Sequence, residues 1–174
     1  MKTFPSTYLH LNSYFKFYFI FNIYYRTALH VASSKGSVIA IEFLIHHGAN
    51  PNSTDSFGST PLFEAVASRN DAAANIIFNA GGCLGLKTSE TIKTSLQPAT
   101  FKKDAGALIC QVVSDADVQY LERLLHYGMS SQTSDYDGRT GLHIAATFGH
   151  VRIIECLLKF GANPSAVDRF GRVS

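Results

Sequence analysis

The sequence predicts an all-α solenoid of stacked helix-turn-helix units. A short phrase that begins at Arg26, Ser59 and Arg139 recurs along the 174-residue chain. Its first two copies lie 33 residues apart, and a glycine that follows each unit keeps the same step, as in Gly48 and Gly81. Self-similarity at a fixed period of this length indicates a repeat protein. Each unit is too small to bury its own apolar face, so its neighbours must complete the core.

Several motifs agree in one register. In chain order they are Gly48-Ala49-Asn50-Pro51-Asn52, Thr60-Pro61-Leu62, Asp135-Tyr136-Asp137-Gly138-Arg139-Thr140, Leu142-His143-Ile144-Ala145-Ala146 and Gly161-Ala162-Asn163-Pro164. On these motifs the segment 26–174 resembles the ankyrin-repeat family. The resemblance implies an ankyrin-repeat solenoid of about four stacked helix pairs, with a hairpin-like finger between successive pairs. It also implies a non-enzymatic scaffold that binds a protein partner.

Residues 26–84 hold the first two units. The first unit predicts an inner helix from Leu29 to Lys35 and an outer helix from Val38 to His47. In the second unit Thr60 is suited to cap the inner helix, since threonine accepts a hydrogen bond from the first turn. Arg69 stands at the turn between helices where other units carry glycine, so we expect that turn to be less relaxed.

The period then slips. The distance between the glycines that end successive units is 33 residues from Gly48 to Gly81 and 47 residues from Gly81 to Gly128. The intervening stretch 85–101 is rich in threonine, serine and lysine and has no clear period, so it predicts an exposed inserted loop. Residues 102–174 hold the third and fourth units and the start of a truncated fifth. The third unit has lost the Thr-Pro-Leu-His phrase and keeps Leu108 almost in register with Leu142.

Residues 1–25 have a different character. Aromatic residues crowd the run 14–25 and no small-residue cleavage site follows it, so a signal peptide is disfavoured. Lys16 and Asn22 interrupt any apolar window long enough to span a membrane. The composition is typical of translated AT-rich non-coding DNA, which favours an artefactual leader; a membrane-targeting segment and an unusual cap are the alternatives. Terminal repeats need a polar outer face, and neither end of the repeat segment shows one, so we interpret the chain as a piece of a longer protein.

Composition limits the partner and the compartment. The net charge of +2 is too small, and the basic residues too scattered, to favour nucleic acid. The cysteines Cys83, Cys110 and Cys156 are odd in number and form no CxxC pair, which disfavours disulfides and zinc. We expect Cys110 and Cys156 to be buried in helices. A cytoplasmic monomer is the resulting expectation, with membrane contact only if residues 1–25 are a genuine targeting segment.

The sequence predicts no catalytic, cofactor or metal site. His30 and His143 each follow a threonine by three residues, a pairing that fixes the turn in the family, and no acid or nucleophile accompanies them. The turn at Asp135 lacks the acidic ligands of a calcium loop. His46 and His47 are adjacent on a helix and point about 100° apart, so they chelate a metal poorly together.

The predicted site is therefore a partner-binding surface. The resemblance implies that partners lie along the fingers and the exposed side of the inner helices, and aromatic and arginine side chains anchor interfaces well. The predicted contact residues are Phe57, Glu64, Tyr136, Asp137, Arg139, Ile144 and Phe148.

A second hypothesis makes the chain a regulatory segment of a larger protein. Four segments look similar to the ankyrin tails of asparaginase- and glutaminase-type amidohydrolases: residues 105–110, the leucine-rich helix that follows them, residues 135–140 and residues 168–171. They also resemble the cytoplasmic ankyrin segment of plant-type voltage-gated potassium channels. In either case catalysis or conduction would be encoded outside this chain.

If both caps are missing, the isolated segment 26–174 should give a helical circular-dichroism spectrum and unfold over a broad temperature range, because end repeats open early. A sharp transition at high temperature would contradict the truncation argument.

Overall fold

A computed structural model of the protein describes residues 24–85 and 104–174. Within these ranges there are eight helices and two isolated β-bridges, without a strand. The helices are α1 (Ala28–Lys35), α2 (Val38–His46), α3 (Pro61–Ala67), α4 (Asp71–Asn79), α5 (Ala105–Ser114), α6 (Val118–His126), α7 (Gly141–Phe148) and α8 (Val151–Lys159). The predicted all-α repeat solenoid is confirmed.

Two predicted parts of the chain fall mostly outside this description. The leader predicted for residues 1–25 lies outside the described residues except for Tyr24 and Tyr25, and the loop predicted for residues 85–101 lies outside them except for Gly85. The domain limits therefore stay predictions. In the described ranges, every helix falls short of the length and apolarity that crossing a bilayer requires.

The helices stack in chain order as two layers. The odd-numbered helices form the inner layer and the even-numbered helices the outer layer, and each inner helix packs against the outer helix that follows it. Along the stack α1 packs on α3 and α2 on α4, and further along α5 packs on α7 and α6 on α8. Neighbouring units thus supply the apolar surface that a single helix pair lacks.

One apolar position of each inner helix is buried in all four units. It is occupied by Leu29, Leu62, Ile109 and Leu142, which are at most 5% exposed. In the outer layer, Ile77, Leu124 and Leu157 are fully buried. Burying one such side chain contributes roughly 1.5–3 kcal/mol, so this repeated core is the main source of stability.

The threonine-histidine pair closes the start of α1 and links it to the next finger. The Thr27 backbone N–H donates to His30 Nδ1 at 3.1 Å, and the ring nitrogen Nε2 lies 2.9 Å from the Ser59 carbonyl oxygen. Because Nδ1 accepts, Nε2 carries the proton and donates. His143 repeats this arrangement, with Nε2 3.0 Å from the Arg172 oxygen. The structural role predicted for both histidines is confirmed.

The third unit departs from the others at its inner helix. Asp104 caps α5 by accepting the Gly106 N–H at 2.9 Å. This cap lies 36 residues before Thr140, the corresponding cap of α7, whereas the outer helices α6 and α8 start 33 residues apart. The three additional residues start α5 almost one turn early. Ile109 nevertheless keeps the 33-residue step from Leu142 and takes the buried position, whereas Leu108, predicted almost in register at a step of 34, is only partly buried.

The turns between inner and outer helices differ in strain. Gly36 and Gly149 have φ of 68° and 70°, whereas Arg69 and Ala116 hold the same left-handed conformation at 58° and 54°. That conformation costs an L-residue roughly 1–2 kcal/mol. The less relaxed turn expected at Arg69 is confirmed, and the two strained turns belong to the second and third units.

Packing between these two units is unlike the rest of the stack. Here α3 packs against α6, the outer helix of the next unit. Two ion pairs cross the junction, Arg69 with Asp117 at 2.5 Å and Arg123 with Asp71 at 2.5 Å. Polar contacts near the outer layer therefore hold together a junction whose inner layer is more open.

His30→Ala should lower the free energy of unfolding by about 1–3 kcal/mol, because it leaves the Ser59 carbonyl and the Thr27 N–H without their buried partner. The matched control is His46→Ala in the same unit, an exposed position that should change stability by at most about 0.5 kcal/mol. Urea unfolding followed by circular dichroism measures both. Equal effects of the two substitutions would contradict the bridging role of His30.

Candidate functional site

Three fingers of the described chain share one hydrogen-bonded turn, which an aspartate organises. The aspartates are Asp55, Asp135 and Asp168, and the backbone N–H of each donates to the carbonyl four residues later at 3.0 Å. One carboxylate oxygen of each accepts the backbone N–H groups two and four residues on, at 2.8–2.9 Å. A glycine at the fourth position has φ between 71° and 77°, which a side chain would disfavour. Each finger is thus a rigid turn.

Arginine locks two of these turns. Arg139 donates to the second carboxylate oxygen of Asp135 through Nε at 2.9 Å, and Arg172 does the same to Asp168 at 2.7 Å. Burial alone would raise the pKa of the Asp135 carboxyl. The hydrogen bonds from the backbone and guanidinium of Arg139 and from the Asp137 backbone outweigh it and hold this pKa below its usual value.

The finger at Asp55 is held by the preceding unit instead. Ser59 stands where its counterparts have arginine, and Arg26 Nε lies 4.0 Å from the Asp55 carboxylate. Arg26 also pairs with Glu64 at 2.5 Å, and the Ser59 hydroxyl donates to Glu64 at 2.7 Å. Glu64, predicted as a partner contact, is thus engaged within the chain.

Adjacent fingers are bonded to each other. The Ser56 N–H donates to the Tyr24 carbonyl at 2.8 Å, and the Arg169 N–H donates to the Asp137 carbonyl at 3.0 Å. The Arg169 guanidinium adds an ion pair to Asp137 at 3.0 Å. Since the residues of each pair are 32 positions apart, the same link joins neighbouring fingers near both ends of the described stack.

An exposed aromatic side chain stands on each of the three turns. Phe57 is 45% exposed and stacks on Tyr24 with 5.1 Å between ring centroids. Tyr136 is 79% exposed. Phe170 is 59% exposed, with the guanidinium of Arg172 5.0 Å from its ring centre. Sequence reasoning missed Phe170, although the repeated Asp-x-x-Gly turn at Asp168 could have found it.

The remaining predicted residues divide into exposed and buried. Phe148 is 57% exposed at the end of α7 and stacks on His150, and Asp137 and Arg139 are partly exposed while paired. Ile144 is only 7% exposed and belongs to the hydrophobic core. Its predicted partner contact is corrected: α5 packs against α7, and a partner cannot reach a side chain that the core already covers.

The structure also shows the burial of the cysteines and the placement of possible metal-ligating side chains. Cys156 is buried, Cys110 is half-buried and Cys83 is exposed. Burial, with the nearby Asp135 carboxylate, raises the pKa of the Cys110 thiol to about 11. In the part of the chain that the structure describes, no three histidine, cysteine, aspartate or glutamate side chains converge as a metal site requires.

Comparison with known proteins adds family relationships. Two models of ankyrin repeats match the sequence, one of three copies over residues 10–88 and one of many copies over residues 109–158. Together they cover more than half of the chain, and the first match begins inside the segment predicted as a leader.

Curated relatives include enzymes and channels. The L-asparaginase of Dirofilaria immitis is 28% identical over 145 residues, which are 83% of this chain and 22% of that protein. The potassium channel KOR2 of Oryza sativa subsp. japonica is 41% identical over 69 residues, 40% of this chain and 10% of the channel. The potassium channel AKT2/3 of Arabidopsis thaliana is 25% identical over 143 residues, which are 82% of this chain and 16% of the channel. The chain thus spans less than a quarter of each of these relatives.

The lowered pKa of Asp135 implies a pH-dependent contribution to stability. This contribution is present above the unfolded-state pKa of about 3.9 and is lost as the pH falls through the lower folded-state value. Asp135→Asn keeps an acceptor oxygen but loses the charge, so its urea midpoint should be lower than that of the parent chain near neutral pH and should fall less steeply below about pH 4. Parallel pH profiles of variant and parent would contradict this role of the carboxylate.

Proposed function

The chain belongs to the ankyrin-repeat family, and from this premise we propose that it holds a protein partner against its fingers and the exposed side of its inner helices. Ankyrin repeats are a generic, non-catalytic interaction module. The observation that supports the proposed surface is the row of exposed aromatic side chains, Phe57, Tyr136 and Phe170, each carried on an aspartate-organised turn.

Rigid display is the proposed mechanism. The backbone and carboxylate hydrogen bonds fix each turn before a partner arrives, so binding orders few groups and loses little conformational entropy. Aromatic rings bring large contact area with few rotatable bonds and are frequent binding hot spots. Arg139 and Asp137 stand beside Tyr136 and are partly exposed, so they offer charged contacts at the rim of the same surface.

An alternative proposal concerns the protein in which the module acts. The chain covers only 22% of the L-asparaginase and 16% of the AKT2/3 channel that it is similar to. A regulatory ankyrin segment within a larger protein, such as an amidohydrolase or a potassium channel, fits this partial coverage. The same finger surface would then contact either another part of that protein or its regulator.

The other proposed properties follow from composition. We propose a monomeric, non-enzymatic module that acts without a cofactor in the cytoplasm and does not bind nucleic acid. The scattered basic residues and net charge of +2 support the last point. The free thiols Cys83, Cys110 and Cys156 support a reducing compartment.

Removing two finger aromatics should abolish partner capture. Wild-type chain and the Phe57→Ala, Tyr136→Ala double variant are immobilised, and captured proteins are quantified by mass spectrometry. The double variant should lose the specific partners, because it removes two exposed anchors without touching the core.

The matched control is the Ile39→Ala, Phe43→Ala double variant. It removes comparable exposed apolar surface from the outer helix α2 and not from a finger, since Ile39 is 82% exposed and Phe43 is 61% exposed. Retention of every wild-type partner by the finger variant would overturn the finger assignment, whereas loss by both variants would show nonspecific apolar capture.

A further inference from the structure

The inner layer opens into an apolar cleft between the second and third repeats. The cleft has a volume of about 450 Å³, and its accessible floor is formed by Ala67 of α3, Leu108 of α5 and Tyr120 of α6, which are at least partly exposed. Phe63 and Val112 also line it but are buried in the core. This volume is in the range of ligand pockets, roughly 300–1,000 Å³. It exists because α3 packs against α6 at this junction, whereas the neighbouring junctions pair one inner helix with the next.

The rim of this cleft is acidic. Its lining includes the carboxylates of Asp104, Asp115 and Asp117 and no lysine, arginine or histidine of the described residues. Asp117 is neutralised by Arg69, which reaches it from the opposite side of the junction at 2.5 Å. Asp115 is exposed and forms no ion pair with another residue of the described ranges. The cleft thus combines an apolar floor with an excess of negative charge, in a chain whose net charge is +2.

Two turns in which a residue other than glycine holds a left-handed conformation flank this rim. Arg69 precedes α4, and Ala116 lies between Asp115 and Asp117; both hold left-handed backbone conformations that Gly36 and Gly149 hold in the other units. Glycine would remove the strain at either turn. At position 69 it would also remove the cation that neutralises Asp117, so this ion pair gives a physical reason for an arginine there.

We propose that this cleft binds a basic, apolar segment of the protein partner, with an apolar side chain on the floor and a lysine or arginine side chain against Asp104 and Asp115. The proposal rests on the proposed function, since it specifies the chemistry of a partner for the same module. Opposite charge across an interface favours such a segment and repels an acidic one.

The cleft is continuous with the finger row. The Asp104 carboxylate raises the pKa of the Tyr136 phenol, so a finger aromatic lies near the edge of the rim. One extended peptide can therefore contact Tyr136 and lie across the cleft.

The test uses two fluorescein-labelled octapeptides and the full chain with labelled leucine and valine methyl groups. One peptide alternates leucine with lysine, and its control alternates leucine with glutamate. The lysine peptide should bind and shift the methyl resonances of Leu108 and Val112, whereas the glutamate peptide should not. Binding is measured by fluorescence anisotropy and located by methyl spectra.

Charge variants make the test specific. Asp115→Asn should weaken binding of the lysine peptide about two- to fivefold, as expected for one exposed ion pair. Glu155→Gln, which removes one exposed carboxylate from α8, should leave binding unchanged. Arg69→Gly should strengthen binding by a similar factor, because it frees the Asp117 carboxylate. Circular dichroism confirms that each variant is folded.

Several outcomes overturn the proposal. These are equal binding of both peptides, no difference between Asp115→Asn and Glu155→Gln, and shifts confined to methyl groups outside the cleft. Nuclear Overhauser contacts between Leu108 or Val112 and the chain's own Lys102 or Lys103, without peptide, would assign the cleft to the chain itself. Self-association that Asp115→Asn abolishes would assign it to a second copy.

The result is independent of the test for the finger surface. Peptide binding is scored at α5 methyl groups, whereas partner capture is scored with the Phe57→Ala, Tyr136→Ala variant. If the lysine peptide does not bind but the finger variant loses its partners, the cleft proposal fails and the proposed function stands. If the lysine peptide binds but the finger variant keeps its partners, only the finger assignment fails.

Discussion

A pair of short helices cannot bury its own apolar face, and this constraint determines the rest of the structure. Leu62 and Ile77, which belong to the second repeat, are fully buried because helices of the first repeat and of their own pair surround them. Stacking must therefore proceed in register, since a change of register would place polar side chains against the core of a neighbour. The 33-residue period of the sequence reflects that requirement.

The same register produces the interaction surface. Once the helix pairs are stacked, the fingers lie side by side, and one backbone hydrogen bond links Ser56 to Tyr24 and another links Arg169 to Asp137. The buried ring of His30 connects the inner layer to the next finger through the Ser59 carbonyl. Stability of the core and rigidity of the fingers are therefore not separable properties.

The junction between the second and third repeats shows what a local departure from the repeat produces. The inner helix α5 starts almost one turn early, Arg69 and Ala116 replace glycine in strained turns, and ion pairs near the outer layer carry the contact. An irregular unit leaves space that a regular stack would fill. Here that space is lined by carboxylates on an apolar floor, which distinguishes this module from a uniform repeat array.

The sequence by itself determined the period, the helix pairs and the strain at Arg69, because these are local properties of spacing and residue type. The resemblance to ankyrin repeats supplied the capping role of the Thr27–His30 pair. Only the tertiary structure decided the pairing of Glu64 with Arg26, the burial of Ile144 and the exposure of Phe170. Each of these depends on which neighbour lies against the residue. Single-sequence periodicity identifies one apolar face of a helix, but it does not state how far the adjacent repeat covers that face. The cleft likewise follows from packing at one irregular junction, where α3 packs against the outer helix α6.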